Sequence, residues 1–155
     1  MAKAAKSVGI QTVTPHLAVV GAIDAIKFYR KAFGATEVMR MPADDGKRLL
    51  HAELRIGKST VFLADVFSEW GGQGPAGGNV QHLRVDNADA TFKRAIKAGA
   101  TVVMPLEDMF WGDRYGRLLD PFGQTWSVGA PVKKAAKPKA KAKAKPKAKA
   151  ARKAR

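Results

Sequence analysis

Apolar and polar positions along this chain switch between a period of two and a period of about 3.6, and they do so twice in the same order. VTPHLAVV (13–20) is rich in β-branched and apolar residues and predicts a strand. Ala22 to Phe33 carries Ile23, Ile26, Tyr29 and Phe33 at helical spacing, and Gly34 supplies the stop. Thr36 to Met41 predicts a second strand, followed by an Asp-Asp-Gly turn at 44–46. RLLHAELRI (48–56) alternates, with Leu50, Ala52, Leu54 and Ile56 on one face and His51, Glu53 and Arg55 on the other. Gly57-Lys58 turns the chain, and STVFLADV (59–66) returns as a fourth strand. The order is β-α-β-β-β.

The second half repeats it. His16 and His82 lie 66 residues apart, Asp24 and Asp89 65, Gly34 and Gly99 65, and Gly57 and Gly123 66. A near-constant offset over four landmarks marks an internal duplication. VQHLRV (80–85) predicts a strand, Ala88 to Ala98 a helix stopped by Gly99, and Thr101 to Met104 a strand. The region 111–119 and QTWSV (124–128) supply two more, joined by the turn DPFG (120–123). A glycine-rich linker, 68–78, separates the units. The expected organisation is a flexible N-terminus (1–10), one domain (11–130) of two modules (13–66 and 79–130), and a disordered tail (131–155).

Charge sharpens that division. The 155 residues carry a formal net charge of +15. Residues 131–155 hold twelve Lys or Arg and no acid, so the remaining 130 residues, with sixteen bases and thirteen acids, are ordinary. There is no cysteine, which excludes a disulfide framework, a thiolate nucleophile and Cys-ligated zinc. No apolar run follows the basic start MAKAAKSVG, and none reaches the ~18 residues needed to span a bilayer. A cytoplasmic protein with no membrane partner is expected.

Several motifs sit on this frame: Ala25-Ile26-Lys27-Phe28-Tyr29 leading to Phe33-Gly34-Ala35, the strand-turn HAELRIGKS, and WGDRYGRLLDPFGQTWS. In this order, over residues 11 to 130, the chain resembles the vicinal oxygen chelate superfamily, which unites glyoxalases, bleomycin-resistance proteins and extradiol dioxygenases. The resemblance implies an α+β fold in which two tandem βαβββ modules form curled mixed sheets around a shared cavity, with the helices outside. It also implies metal ligands on the first and fourth strands of each unit, in members with metal-dependent chemistry. Here those positions fall at Thr14, Val80, Ser127 and Val61 or Phe62, none a good ligand for a divalent ion.

Alternation decides which side chains face the cavity. Leu83 and Val85 pack under the helix, which turns Val80, His82 and Arg84 inward; the repeat turns Thr14, His16 and Ala18 inward with them. The expected ligand pocket is His16, His51, Glu53, Arg55, His82 and Arg84, with Trp111 at its mouth and Phe67 and Trp70 as an opposing wall. Arg55 and Arg84 favour an anionic or oxygen-rich ligand. Glu53 beside His51 is the candidate acid/base pair, and His16, His82 and Glu53 are the candidates for a displaced facial triad. The loop EDMFWGDRYG (107–116) concentrates aromatics, with Asp113 and Arg114 able to pair locally or to offer a charge at the pocket mouth.

These readings predict a protein that binds a small organic molecule, with no cofactor expected. The alternative is a divalent metal in a lyase, isomerase or dioxygenase. The tail, similar to the lysine-alanine-proline tails of histone H1-like proteins, raises a third reading: non-specific nucleic-acid association through phosphate neutralisation. A second copy of the chain is the expected protein partner.

Overall fold

The computed structural model describes residues 12–70, 72–75 and 78–133. The expectations for residues 1–10 and for the tail beyond Lys133 lie outside the described residues. The first module comprises β1 (His16–Val19), α1 (Ala22–Phe33), β2 (Thr36–Pro42), β3 (Leu49–Ile56) and β4 (Ser59–Asp65). A short 3-10 turn, Ser68–Trp70, leads on to β5 (Val80–Arg84), α2 (Ala88–Ala98), β6 (Thr101–Asp108), β7 (Asp113–Leu119) and β8 (Thr125–Pro131). The sheets are mixed, ordered β1-β4-β3-β2 and β5-β8-β7-β6, with β1 parallel to β4 and β5 parallel to β8. Two tandem βαβββ modules are therefore present.

The helices form where the pattern places them, and each is capped differently. Asn87 Oδ1 accepts from Ala90 N at 3.0 Å and closes the first turn of α2 locally. The start of α1 has no such residue. The buried Asp65 carboxylate, from the end of β4, accepts from Gly21 N at 2.8 Å and Ala22 N at 3.0 Å. It also takes Leu49 N at 2.7 Å, tying α1, β3 and β4 together. Gly34, at φ +68°, ends α1 in the left-handed conformation that favours glycine.

The modules meet on the helix side. Both helices and the helix-facing rows of both sheets share one hydrophobic core. Across the joint the Phe33 and Trp126 ring centroids are 4.6 Å apart, and Tyr29 lies 5.4 Å from Trp126. The Tyr29 hydroxyl donates to Asp120 at 2.7 Å, so Phe28-Tyr29 and the Asp-Pro turn are two ends of one buried contact. Gln124 Nε2 reaches the Ala18 carbonyl at the free edge of β1. Among the described residues no strand pairing joins the two sheets, so they do not close within one chain.

Two local expectations are corrected. Residues 107–116 are not one loop: β6 continues to Asp108 and β7 begins at Asp113, leaving 109–112 as the turn. Gly116 lies within β7, where a Cβ would come 2.8 Å from Phe92 Cε2; its lack of a side chain makes room for α2. Asp113 and Arg114 do not pair with each other. Neighbours in a strand point to opposite faces, so Asp113 meets Arg84 on one side and Arg114 meets Asp89 and Asp108 on the other.

Candidate functional site

Every polar residue expected to face a cavity lies on the side of its sheet turned away from the helices. In β1, Leu17 and Val19 are buried in the core and His16 is exposed. In β3, Ala52 and Leu54 are buried, and His51, Glu53 and Arg55 alternate with them. In β5, Leu83 packs on the core while His82 and Arg84 are exposed. Among the described residues, no element of the chain covers either of these faces.

The first face is built in rows. Register places His16 beside Phe62, Phe62 beside Glu53, and Glu53 beside Met39. One row along, His51 lies beside Met41. The His16 and His51 rings meet edge-on at 5.8 Å, and His51 touches Phe62 at 4.8 Å. Partial burial, and then the neighbouring His51, hold the His16 imidazole below its ordinary pKa. Arg55 Nε is buried without a hydrogen-bond partner.

The second face carries a connected polar network. His82 Nδ1 lies 2.8 Å from Ser127 Oγ, and the Ser127 hydroxyl lies near the Tyr115 hydroxyl. Arg117 Nε donates to the same hydroxyl at 3.0 Å. Burial raises the Tyr115 pKa, but the bonds from Arg117 and Ser127, with the Arg117 charge, outweigh it and leave the phenol below its ordinary value. His82 and Tyr115 stack at 6.0 Å, and Trp111 meets Tyr115 edge-on at 5.7 Å. Gly129 makes this possible: a Cβ there would come 2.9 Å from His82 Cε1.

The structure thus divides the expected pocket. His16, His51, Glu53 and Arg55 share the first sheet, while His82, Arg84 and Trp111 belong to the second, where Arg84 is paired with Asp113. Phe67 and Trp70 stack on each other at 4.6 Å, with Arg48 over Phe67. A cavity of about 570 Å³ lies at the joint between the modules. Its wall includes His82 and Arg84 with Phe33, Trp126, Lys58 and Arg94, and none of His16, His51, Glu53, Arg55 or Trp111. Arg117 and the Ser127 bridge were not anticipated, although the alternation of Tyr115 and Arg117 in DRYGRLL placed them on one face.

A divalent metal does not fit the superfamily's usual positions. Thr14, Val80 and Phe62 offer no imidazole or carboxylate, and the Ser127 hydroxyl is engaged by His82. Among the described residues there is no group of three or more His, Asp or Glu placed to hold an ion, so His16, His82 and Glu53 are not gathered within one chain.

Fold and faces together describe a duplicated scaffold with uncovered polar sheet surfaces. The profile of the Glyoxalase/Bleomycin resistance protein/Dioxygenase superfamily matches residues 10–128, and the chain belongs to that superfamily. An uncharacterized protein of Mycobacterium tuberculosis is 50% identical over 129 residues, covering 79% of this chain and 75% of its own. Among solved structures, the product of an Arabidopsis thaliana gene is 30% identical with a TM-score of 0.62, covering 77% of this chain and 98% of that one. TioX from Micromonospora sp. ML1 is 26% identical with a TM-score of 0.61, covering 81% and 100%. No helix among the described residues is long and apolar enough to cross a membrane.

Proposed function

We propose that the protein binds a small organic molecule on the uncovered histidine-bearing faces of its sheets, and that a second copy closes those faces into a pocket. The observation that carries this reading is the pairing of polar networks with exposed apolar side chains on the same faces. Met39 is 40% exposed, Met41 48%, Leu119 39% and Trp111 50%, which is apolar surface a second chain would bury. Charge complementarity supports it: among the described residues neither Glu53 on the first face nor Arg117 on the second has an ion pair. Ligand recognition on this reading uses side-chain donors rather than a metal at the superfamily's usual positions.

Light scattering on the purified protein, with a thermal-shift screen of small organic acids, alcohols and amines, tests this. A dimer stabilised by a defined chemical class is expected. A monomer that no compound stabilises would sink it. The competing reading is a metal-dependent lyase, isomerase or dioxygenase in which assembly brings His16 and Glu53 of one face to His82 of the other. A stoichiometric metal, lost in both His16→Ala and His82→Ala, would establish that reading instead. Nucleic-acid association through residues 131–155 is independent of both; apart from 131–133, that segment lies outside the described residues.

A further inference from the structure

Ion pairs separate the arginines that are free to meet a ligand from those that are not. Arg84 is held by Asp113 at 3.2 Å, Arg114 by Asp89 and Asp108, Arg48 by Asp45 and Glu69, and Arg40 by Glu37. Arg117, exposed on β7, has no carboxylate within ion-pair distance among the described residues. The carboxylate nearest by register, Glu107 opposite Tyr115, does not engage it. One of its five N–H donors goes to the Tyr115 hydroxyl, and its guanidinium lies 5.9 Å from the Tyr115 ring centroid. Among the described residues, the remaining donors have no acceptor.

Hydrogen-bond capacity fixes what Tyr115 has left to offer. A phenol oxygen has two lone pairs and one proton. Arg117 Nε occupies one lone pair. A guanidinium has no acceptor, so Arg117 cannot take the Tyr115 proton, which stays available to an acceptor on the open face. Trp111, edge-on to Tyr115, adds an apolar wall.

We propose that Tyr115 and Arg117 form an oxyanion-binding pair that takes the carboxylate of a small aryl or short-chain acid, its body against Trp111. The phenol O–H and the outer guanidinium N–H groups are the donors. This assignment rests on the placement of the ligand on the open faces and names its chemical class. A planar carboxylate suits a guanidinium fork better than a point cation would.

The test uses the full-length protein and three probes of one shape: benzoate, neutral benzamide and cationic benzylamine. Tryptophan emission is followed, with Trp111→Phe identifying the part of the signal from that ring. Benzoate should bind saturably and at least about tenfold more tightly than benzamide, since a hydrogen bond to a charged group corresponds to a factor of about ten or more. Arg117→Gln and Tyr115→Phe should each weaken benzoate by about tenfold, and Arg117→Gln should abolish the preference over benzamide. Glu107→Gln should tighten benzoate binding by removing a nearby negative charge. Equal binding of benzoate to wild type, Arg117→Gln and Tyr115→Phe overturns the pair, even if the screen finds other ligands for the pocket. No benzoate binding up to its solubility limit overturns it too. Tight, Arg117-dependent binding by a monomer would leave the pair standing while removing the second copy from the proposed function. The substituted side chains sit on an open face, and unchanged melting temperatures will show that the variants fold.

Discussion

Replacing Tyr29 with Phe removes one oxygen and keeps the ring that packs on Phe33 and Trp126. The lost bond, 2.7 Å to Asp120, joins the two modules and is buried. A hydrogen bond to a charged group contributes about 1.5–3 kcal/mol. Asp120 would keep Trp126 Nε1 at 2.9 Å and the amides of Phe122 and Gln124 at 2.8 and 2.9 Å, so its carboxylate is not stranded. The expected loss is therefore about 2 kcal/mol, or roughly 8 °C in melting temperature for a folded body of this size. Urea unfolding followed by tryptophan fluorescence reads it directly. Alkali supplies a second, independent measure. Burial, then the Asp120 charge and the hydrogen bond, raise the Tyr29 phenol far above its ordinary range. Below pH ~10 both folded and unfolded chains hold the proton, and the full advantage over Tyr29→Phe is present. Above that, the unfolded chain loses the proton and the folded chain keeps it. The advantage then shrinks by about 1.4 kcal/mol per pH unit and is gone about 1.5 units higher. A variant within about 0.5 kcal/mol of wild type at neutral pH, or a gap that persists undiminished into alkali, would refute the reasoning.

Three further outcomes are expected. Asp65→Asn sets an amide N–H₂ against at least one of the three backbone donors this carboxylate now accepts, and should lower stability by about 2–4 kcal/mol in a thermal melt. His16 should titrate below the usual histidine range by NMR and move up in His51→Ala; because the fold disfavours its charged form, stability should decline as pH falls through about 6.5. A chain ending at Lys133, which keeps the Pro131–Asp113 rung and the Val132 amide bond to Gly112, should melt like the full chain and lose duplex-DNA binding, whose log–log salt slope should be about −5 if roughly six tail charges meet phosphates.

Period-two alternation placed His16, His51, Glu53, Arg55, His82 and Arg84 on the correct sides of their strands, because the buried partners of those residues are unambiguous. It could not say what lies opposite. A strand pattern distinguishes faces, but closure of two sheets depends on how the modules dock, and that is decided by Tyr29, Phe33, Phe122 and Trp126 on the other side. Tyr29 and Asp120 are 91 residues apart, and nothing local in either motif announces the bond between them. The same holds for Arg114, whose partners come from α2 and β6 rather than from its neighbour Asp113. The stretch 107–116 reads as a loop, whereas β7 begins at Asp113 and its Gly116 reports the approach of Phe92.

The Tyr29–Asp120 bond is also where the duplication stops being symmetrical. At the repeat offsets, position 29 corresponds to Arg94 and position 120 to Leu54, so neither half carries both ends of the contact. A newly made first half thus emerges with an aromatic helix face that no second copy of itself can satisfy in the same way. It must wait for residues 120–126, about 60 residues beyond its own end, which at roughly 5–20 residues per second takes about 3–12 s. During that interval Tyr29 and Phe33 lack the partners that bury them in the finished domain. Ribosome pausing in this window, or a chaperone that covers the α1 face, would govern yield while leaving the equilibrium stability of the completed protein unchanged.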